Sequence, residues 1–300
     1  MVIKMNELTD DVLRKTATTT LSSKLIGPES DHFAGIITTA IQNTKSVGLD
    51  GSAKYSVKSV SILKSHGQST MESRLVDGYA LMTMRGAQGM PLEVKGAKVA
   101  CLDMSLNKFR LQMGVQILVE NPDDLEKIRQ REMDITKERC QKIIQAGANV
   151  ILCTKGIDEF AIKYFVEVGA LAVRRCDKGD LRRIAKACGA TVLTTLADEN
   201  GEESVDPKCL GEAESVREER VGDNDFIFIQ KPKFHNCQTI LLRGANEFML
   251  DEIERSVHDA LCSVKRVLES KSLVVGGGCV EVATSVHLDE YARSLVCLIY

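Results

Sequence analysis

The sequence predicts an α/β protein in which helices cover a parallel-rich sheet. Three Gly-Ala segments recur in the middle of the chain, at Gly147, Gly169 and Gly189, with spacings of 22 and 20 residues. Each glycine follows a helical pattern, where it can adopt positive φ and end the helix, and an apolar run typical of a buried strand comes after it. Short connections between such elements indicate parallel β-α-β units over roughly residues 149–195.

The first helix of this string is long and charged. Asn121 is a suitable N-cap and Pro122 suits the first helical position, so we expect the helix to run from there to Gly147. Within residues 126–139 only three side chains are clearly apolar. Two interpretations stay open: a solvated helix held by ion pairs between successive turns, or a helix that projects from the domain body.

Other elements precede the sheet. Apolar residues at helical spacing predict a helix within residues 20–44, after a shorter helix at residues 11–20 that we expect to lack packing partners. Alternating apolar residues predict a strand over residues 55–63.

Further elements follow the sheet. The acidic segment 197–225 predicts a surface loop and then a short helix at residues 212–219, and strands are expected at 225–230 and 238–243. A second long helix is predicted over residues 246–271. Its apolar side chains lie within about 40° of one line along the helix: Leu250, Ile253, Val257, Leu261, Val264 and Leu268. The middle sheet therefore interrupts other structure.

The composition excludes several classes of function. Lys and Arg number 39 against 42 Asp and Glu, so we expect no binding to nucleic acid or to a membrane surface. No apolar run approaches the roughly 18 residues of a membrane span, and no signal-peptide core is expected at the start. The ten cysteines form no CxxC pair and no zinc-ligand spacing, which predicts reduced thiols, no metal site and a cytoplasmic location.

Two features are candidates for chemistry. Gly276, Gly277 and Gly278 follow the second long helix, where backbone without side chains could approach a phosphate or ribose, although a glycine run is also typical of a flexible joint. Neither the Walker pattern nor a dinucleotide-binding GxGxxG occurs. Asp259 lies about 200° from the apolar line of its helix, so a solvated carboxylate is the simpler interpretation of its position.

Long segments of the chain carry a family resemblance. They are RGANEFMLDEIERSVHDALCSVKRVLES with the following GGGCVE (within 243–281), GYALMTMRGAQGMP (78–91) and VRRCDKGDLRRIAKACGAT (173–191). With these segments the sequence resembles the group II chaperonins over nearly all of its 300 residues. The stretch IRQREMDITKERCQKI (128–143) is most similar to one subunit type of the eukaryotic cytosolic members.

The resemblance implies a division into domains. Subunits of this family have an equatorial ATP-binding domain, a hinge-like intermediate domain, and an apical domain that binds unfolded protein and carries a helical protrusion. Residues 75–232 would form the apical domain, inserted in a discontinuous intermediate domain of residues 45–74 and 233–275. Equatorial remnants would lie at 1–44 and 276–300, and the long charged helix would supply the protrusion.

The resemblance also implies sites. Client contact would fall on a helix at residues 157–168, through Phe160, Ile162, Tyr164 and Phe165, unless these side chains are simply core. Asp259 matches the aspartate that positions the water attacking the γ-phosphate of ATP bound with Mg²⁺. Gly276, Gly277 and Gly278 match the loop that contacts the nucleotide.

Some family features differ in this sequence. The phosphate-binding sequence Gly-Asp-Gly-Thr-Thr does not occur in the 300 residues, Val275 replaces the usual proline, and the match is broken after Glu281, which suggests a truncated form. The expected function is ATP-dependent folding of cytosolic proteins, with unfolded clients bound by the apical domain and other chaperonin subunits as partners in a hetero-oligomeric ring. Whether the chain is itself an ATPase stays open. The alternative is an ATP-independent stand-alone module that holds unfolded chains.

Overall fold

The computed structural model describes residues 2–4, 9–47, 51, 53–108, 122–197, 203–234 and 237–296. The strands are β1 (Val2–Lys4), β2 (Lys45–Val47), β3 (Ala53–Tyr55), β4 (Val60–His66), β5 (Arg74–Val76), β6 (Gly78–Leu81), β7 (Glu93–Leu102), β8 (Val150–Cys153), β9 (Leu171–Val173), β10 (Val192–Leu193), β11 (Gly211–Val221), β12 (Asn224–Pro232), β13 (Gln238–Gly244) and β14 (Ser272–Val274). The helices are α1 (Asp10–Ser22), α2 (Ser30–Asn43), α3 (Pro122–Gln145), α4 (Glu159–Val168), α5 (Lys178–Cys188), α6 (Glu247–Ser270) and α7 (Cys279–Val296).

The strands β6 to β12, with α3, α4 and α5, form what we call the large-sheet region. Its sheet has the order β6-β12-β11-β7-β8-β9, and β10 also pairs with β7. The predicted β-α-β-α-β string forms the parallel half, in which β8, β9 and β10 run parallel to their neighbours. The other half, from β6 to β7, is antiparallel.

Helices cover both faces of the large sheet. On one face Val150 and Leu152 pack in a core that includes Leu181 of α5, and on the other face Ile151 packs in a core that includes Phe165 of α4. All four residues of β8 are buried, which explains the continuous apolar run in its sequence. The glycines that end the helices adopt positive φ as predicted, with φ of 97°, 75° and 76° at residues 147, 169 and 189.

A second unit, the three-stranded region, consists of β4, β13 and β5 with α1, α2 and α6. Strand β13 lies in the centre, parallel to β4 and antiparallel to β5. Helix α6 begins after Asn246, whose side chain accepts a hydrogen bond from Met249 N at 2.8 Å. Its six predicted apolar residues are all buried, and they share a core with α1, α2 and β13. The two remaining sheets are the pairs β1-β14 and β2-β3.

Strand β13 joins the two regions. All of its residues are buried. Ile240 faces the helices of the three-stranded region, whereas Leu241 packs with Phe226 and Phe228 of β12. The hydroxyl of Thr239 donates to the carbonyl of Gly78 and accepts from the amide of Ala80, both at 3.1 Å. The large-sheet region is therefore connected to β13 by apolar packing and by hydrogen bonds.

A buried arginine reinforces this connection. Arg243, in β13, is 2% exposed, and its guanidinium donates to Ser65 Oγ of β4 at 2.6 Å and to Gln68 Oε1. Ser65 Oγ in turn donates at 3.0 Å to Val221 O, at the end of β11 and directly before the turn to β12. In that turn Gly222 has φ of 66°, and a Cβ there would lie 3.1 Å from His66 O and 3.3 Å from Arg243 Nη1. The turn therefore packs directly on the arginine.

Several predicted elements were wrong in type or extent. Residues 212–219 form part of strand β11, not a helix. The strand predicted over 55–63 is divided by a 3₁₀ turn at Val57–Ser59 into β3 and β4. The helix predicted within 20–44 begins only at Ser30, because a short 3₁₀ turn containing Pro28 separates it from α1. The predicted cap Asn121 lies outside the described residues.

The expectation for α1 was also wrong. Its apolar residues Leu13, Ala17 and Leu21 are at most 1% exposed, and they pack in the core of the three-stranded region. Helix α7 is different, because its residues from 279 to 295 are mostly exposed. Among the residues described, no helix combines the length and the apolarity that a bilayer span requires.

Helix α6 offers a matched test of this packing. Ile253 is fully buried, whereas Phe248 on the first turn is 87% exposed. We expect Ile253→Ala to lower the free energy of unfolding by about 2–5 kcal/mol, because it removes buried methylenes and leaves a cavity. Phe248→Ala should change it by less than about 0.5 kcal/mol. Urea unfolding followed by circular dichroism measures both values, and equal losses would contradict the assignment of the α6 core face.

Candidate functional site

A groove of about 380 Å³ lies between α3 and α4 on the large-sheet region. It is lined by Lys108, Gln130, Met133, Asp134, Thr136, Lys137, Asp158, Phe160, Ala161, Lys163, Tyr164 and Glu167. Three lysines face three carboxylates in this set, so the groove carries no strong net charge. Apolar surface from Met133, Phe160 and Tyr164 lies between these charges.

Local sequence signals fix the position of α4. Asp158 is the N-cap, and its carboxylate accepts a hydrogen bond from Glu159 N at 2.8 Å. Gly169 ends the helix in the left-handed conformation that glycine adopts without steric cost. Between these ends, Ala161, Ile162 and Phe165 are buried against the sheet. The opposite face of the helix is thus presented to the groove.

The four predicted contact residues divide into two pairs. Phe160 is 59% exposed, Tyr164 is partly buried, and both line the groove. Ile162 is 7% exposed and Phe165 is fully buried, so both belong to the core beneath α4. The core interpretation applies to this second pair, because neither side chain can contact a ligand unless α4 moves.

Helix α3 forms the other wall of the groove and is held at its C-terminal half. There Thr136, Cys140 and Ile143 are buried, whereas residues 126–131 are mostly exposed. The helix is therefore anchored at its C-terminal half, whereas most side chains of residues 126–131 face solvent. Met133 lines the groove although the sequence analysis did not select it. Its signal was that it is one of three apolar side chains in the charged stretch 126–139, one turn before the anchored residues.

Ion pairs attach α3 to the loop around Glu203. The Glu203 carboxylate lies 2.7 Å from Arg139 Nη2 and 3.6 Å from Lys142 Nζ. The hydrogen bond from Arg139 holds the pKa of Glu203 below its usual value of 4.5. On α4 itself, Lys163 Nζ lies 5.8 Å from the ring centroid of Phe160, three residues earlier on the same helix.

The lowered pKa of Glu203 predicts a pH dependence of stability. Because the folded state favours the ionised carboxylate, the pair stabilises the fold above the unfolded pKa, and this stability is lost as the pH falls through the folded pKa. As the pH falls from about 5 to about 3, the free energy of unfolding of the Glu203→Gln variant should therefore decrease less than that of the unsubstituted chain. Urea midpoints across this range measure the difference, with Glu214→Gln on an exposed pair as control.

Asp259 lies on α6 in the three-stranded region. Its side chain is 48% exposed, and Oδ2 lies 3.2 Å from Lys24 Nζ, just beyond α1. The carboxylate is thus partly solvated, as its place on the polar side of the helix predicted. It lies 11 residues before the end of α6 at Ser270, which corresponds to about 17 Å along the helix axis.

The glycine loop borders a cavity of its own. Gly276, Gly277 and Gly278 connect β14 to α7, and a Cβ at Gly276 or Gly277 would meet no atom within 4 Å. A cavity of about 570 Å³ beside the loop is lined by Gly277, Gly278, Cys279, Val282, Ala283, Val286, His287 and Glu290. Asp259 is not in this set. The cavity beside the predicted nucleotide loop therefore does not include the predicted catalytic residue.

The residues around the glycine loop do not fit a complete Mg-ATP site. The cavity lining has no lysine or arginine to balance a triphosphate, and Glu290 adds a negative charge. Across the described ranges, no group of three or more His, Cys, Asp or Glu side chains is arranged to hold a metal ion. We therefore derive no catalytic step through a bound nucleotide from these residues.

Comparisons with known proteins agree with this architecture. Residues 1–296 match the model of the TCP-1/cpn60 chaperonin family. The chain belongs to the TCP-1/cpn60 chaperonin family. It is 54% identical over 295 residues to the T-complex protein 1 subunit alpha of Tetrahymena pyriformis and to that of Arabidopsis thaliana, matches that cover 98% of this chain and 54% of each relative.

A solved structure supports the same chaperonin fold. The open-state monomer of a group II chaperonin from Methanococcoides burtonii superposes with a TM-score of 0.76 at 28% sequence identity, and covers 98% of this chain and 65% of that one. The family resemblance and the fold class predicted from the sequence are confirmed. The chain spans about half the length of the curated chaperonin subunits that it matches.

Proposed function

We propose that this chain acts in chaperonin-assisted protein folding and binds unfolded polypeptide in the groove between α3 and α4. The observation that carries the proposal is the exposed Phe160 beside Tyr164 and Met133, in a groove whose charges are balanced. A mixed apolar and charged surface suits clients of varied sequence, because apolar segments gain burial while either sign of flanking charge finds a partner.

The proposed domain assignment follows the sequence analysis. Residues 75–232 form the apical domain, and α3 provides its helical protrusion. Residues 45–74 and 233–275 form the intermediate domain, with equatorial segments at 1–44 and 276–300. The junctions near Arg74 and Pro232 fall close to the connection between β5 and β6 and to the end of β12. This supports the assignment, because the chain crosses between the two regions at these points.

Substitutions on α4 test client binding. Phe160→Ser should weaken binding of an unfolded probe by about three- to tenfold, because an exposed aromatic side chain that becomes buried contributes on the order of 1 kcal/mol. Val168→Ser is the matched control, since Val168 is an exposed apolar residue of the same helix, 48% exposed, that does not line the groove. Fluorescence anisotropy of labelled, reduced α-lactalbumin, which stays unfolded, measures both affinities.

The comparison of the two variants decides the proposal. Equal affinities for Phe160→Ser and Val168→Ser would place client contact elsewhere on the chain. Unfolding midpoints of both variants should stay close to that of the unsubstituted protein, because neither side chain lies in the core. If the unfolding midpoint of one variant alone is lowered, its loss of client affinity is explained by impaired folding. Tyr164→Ser then serves as the second probe of the groove.

Further partners and the cofactor are part of the same proposal. The chaperonin family is ATP-dependent, and family membership supports partnership with other chaperonin subunits in a hetero-oligomeric ring and a cytoplasmic location. Asp259 and Gly276, Gly277 and Gly278 are the residues of this chain that would contribute to ATP hydrolysis and nucleotide contact. Bound Mg-ATP would supply the γ-phosphate whose hydrolysis drives the family's cycle.

The described residues supply only part of such a site, and this predicts weak nucleotide binding by the 300-residue chain. Isothermal titration with Mg-ATP up to about 1 mM should give no one-site isotherm, because the lining of the loop cavity offers no lysine or arginine for the phosphates. A saturable isotherm that disappears in Asp259→Ala would contradict this, and it would mean that Asp259 and the loop act together in solution.

The alternative function is not favoured. An ATP-independent module that only holds unfolded chains would use the same groove. However, the relatives match along nearly the whole of this chain, and they are chaperonin subunits that extend beyond the matched half. Client binding by the groove is common to both functions, so the α4 variants test the proposal without depending on nucleotide.

A further inference from the structure

The nine described cysteines are free thiols of two kinds. Six are buried: Cys101, Cys140, Cys153, Cys176, Cys188 and Cys237. Burial raises the pKa of the Cys140, Cys176 and Cys188 thiols to about 12. These groups stay protonated at neutral pH and are poor nucleophiles. The more accessible thiols are those of Cys209, Cys262 and Cys279.

Cys262 differs from the other accessible thiols in its neighbours. It lies on α6 one turn after His258, so both side chains share one face of the helix. Cys262 Sγ is 3.9 Å from His258 Nδ1, within reach for transfer of the thiol proton to the imidazole. Neither residue has a part in the proposed client groove or in the family's nucleotide chemistry.

The pair opens into a cleft between α6, the start of β4 and α5, which we call the basic cleft. It has a volume of about 630 Å³ and is lined by Ser56, Val57, Lys58, Val60, Ser61, Ile62, Arg183, Glu254, His258, Cys262, Lys265 and Arg266. Four lysine or arginine side chains thus face one carboxylate, that of Glu254. Two further carboxylates lie just outside this lining. The oxygens of the Glu269 carboxylate are 3.7 Å from Lys265 Nζ and 3.8 Å from Arg266 Nη1, and Asp180 Oδ1 is 3.6 Å from Arg183 Nη1. The cleft has the size of a small-ligand site and an excess of positive charge on its walls.

We propose that Cys262 is a modification site that undergoes disulfide exchange with small anionic peptide disulfides of the glutathione type. The basic cleft would concentrate such a disulfide at the thiol, because each half carries two carboxylates and one ammonium group at neutral pH. The thiolate is the form that attacks disulfides, and His258 Nδ1 lies within reach to accept the thiol proton. The bound half would then lie between α6 and α5, at the junction of the two regions.

The exchange balances without a further reactant. Cys262 loses its proton to His258, and the thiolate attacks one sulfur of the peptide disulfide. A bond forms between Cys262 Sγ and that sulfur while the original S–S bond breaks, and the electron pair leaves on the second sulfur. This leaving thiolate takes up the proton. Cys262 is oxidised to a mixed disulfide, and the released half is reduced to a thiol.

Cys279 provides an internal control within the same chain. It is exposed at the start of α7, in surroundings that differ from those of Cys262, and the cavity beside it has no lysine or arginine in its lining. Absolute rates at the two cysteines therefore do not isolate the effect of the cleft. The informative quantity is the ratio of the rate with oxidised glutathione to the rate with uncharged 2-hydroxyethyl disulfide, measured at each cysteine.

The experiment treats the intact chain with each disulfide and quantifies modification at each cysteine by peptide mass spectrometry over time. We expect the rate ratio at Cys262 to exceed that at Cys279 by about tenfold, because only Cys262 faces a cationic cleft. Lys58→Glu and Arg266→Glu, both at exposed positions, should each lower the ratio at Cys262 and leave that at Cys279 unchanged. Raising the salt concentration to about 0.5 M should do the same.

Equal ratios at the two cysteines would overturn the proposal, as would a ratio at Cys262 that is insensitive to both charge reversals. Modification of Cys262 by neither disulfide would overturn it as well. His258→Gln should slow the reaction at Cys262 with both disulfides while keeping the ratio high, which separates proton transfer from recruitment. None of these measurements depends on client or nucleotide binding.

Discussion

The burial of β13 on both faces is the constraint on which the rest of the structure depends. One face of the strand completes the core of α1, α2 and α6, and the other packs on the aromatic side chains of β12. A shift of the strand register by a single residue would reverse these faces, so that Leu241 would point toward the core of α1, α2 and α6 instead of β12. Arg243 helps to fix the register, because its guanidinium fits between Ser65, Gln68 and the turn at Gly222. The placement of the large-sheet region thus follows from one strand.

Elements with strong periodicity could be predicted from the sequence. Helix α6 and the β8 to β10 string have long apolar stripes or glycine-ended helices, and the structure agrees with both. The prediction for the segment that forms β11 was wrong because the inward-facing residues of this strand are small. Ala213 and Ser215 point inward and alternate with the outward Glu212 and Glu214. A segment with so few large apolar residues resembles a polar surface helix, and only its period of two indicates a strand. Only pairing with β7 and β12 makes this segment a strand.

The sites were predictable to a smaller degree, because they are joined in space by elements far apart in sequence. The periodicity of α4 could not tell Phe160 from Phe165, and only the position of the sheet decides which of the two faces the groove. Met133 and the wall formed by α3 depend on how two helices pack. The same applies to the basic cleft, where Arg183 comes from one region and Cys262 from the other.

The long separation of β4 and β13 has a consequence for how the protein folds. Ser65 and Arg243, which contact each other, are 178 residues apart, and the large-sheet region occupies most of that interval. That region contains two cores with no contribution from β4, so its folding can precede the pairing of β4 with β13. During synthesis α1 and α2 emerge before the large-sheet region, whereas β13 and α6, which cover Phe33, Ile37 and Ile41, are made after it. These apolar side chains therefore stay uncovered while the large-sheet region is synthesised, and during that interval they are open to aggregation.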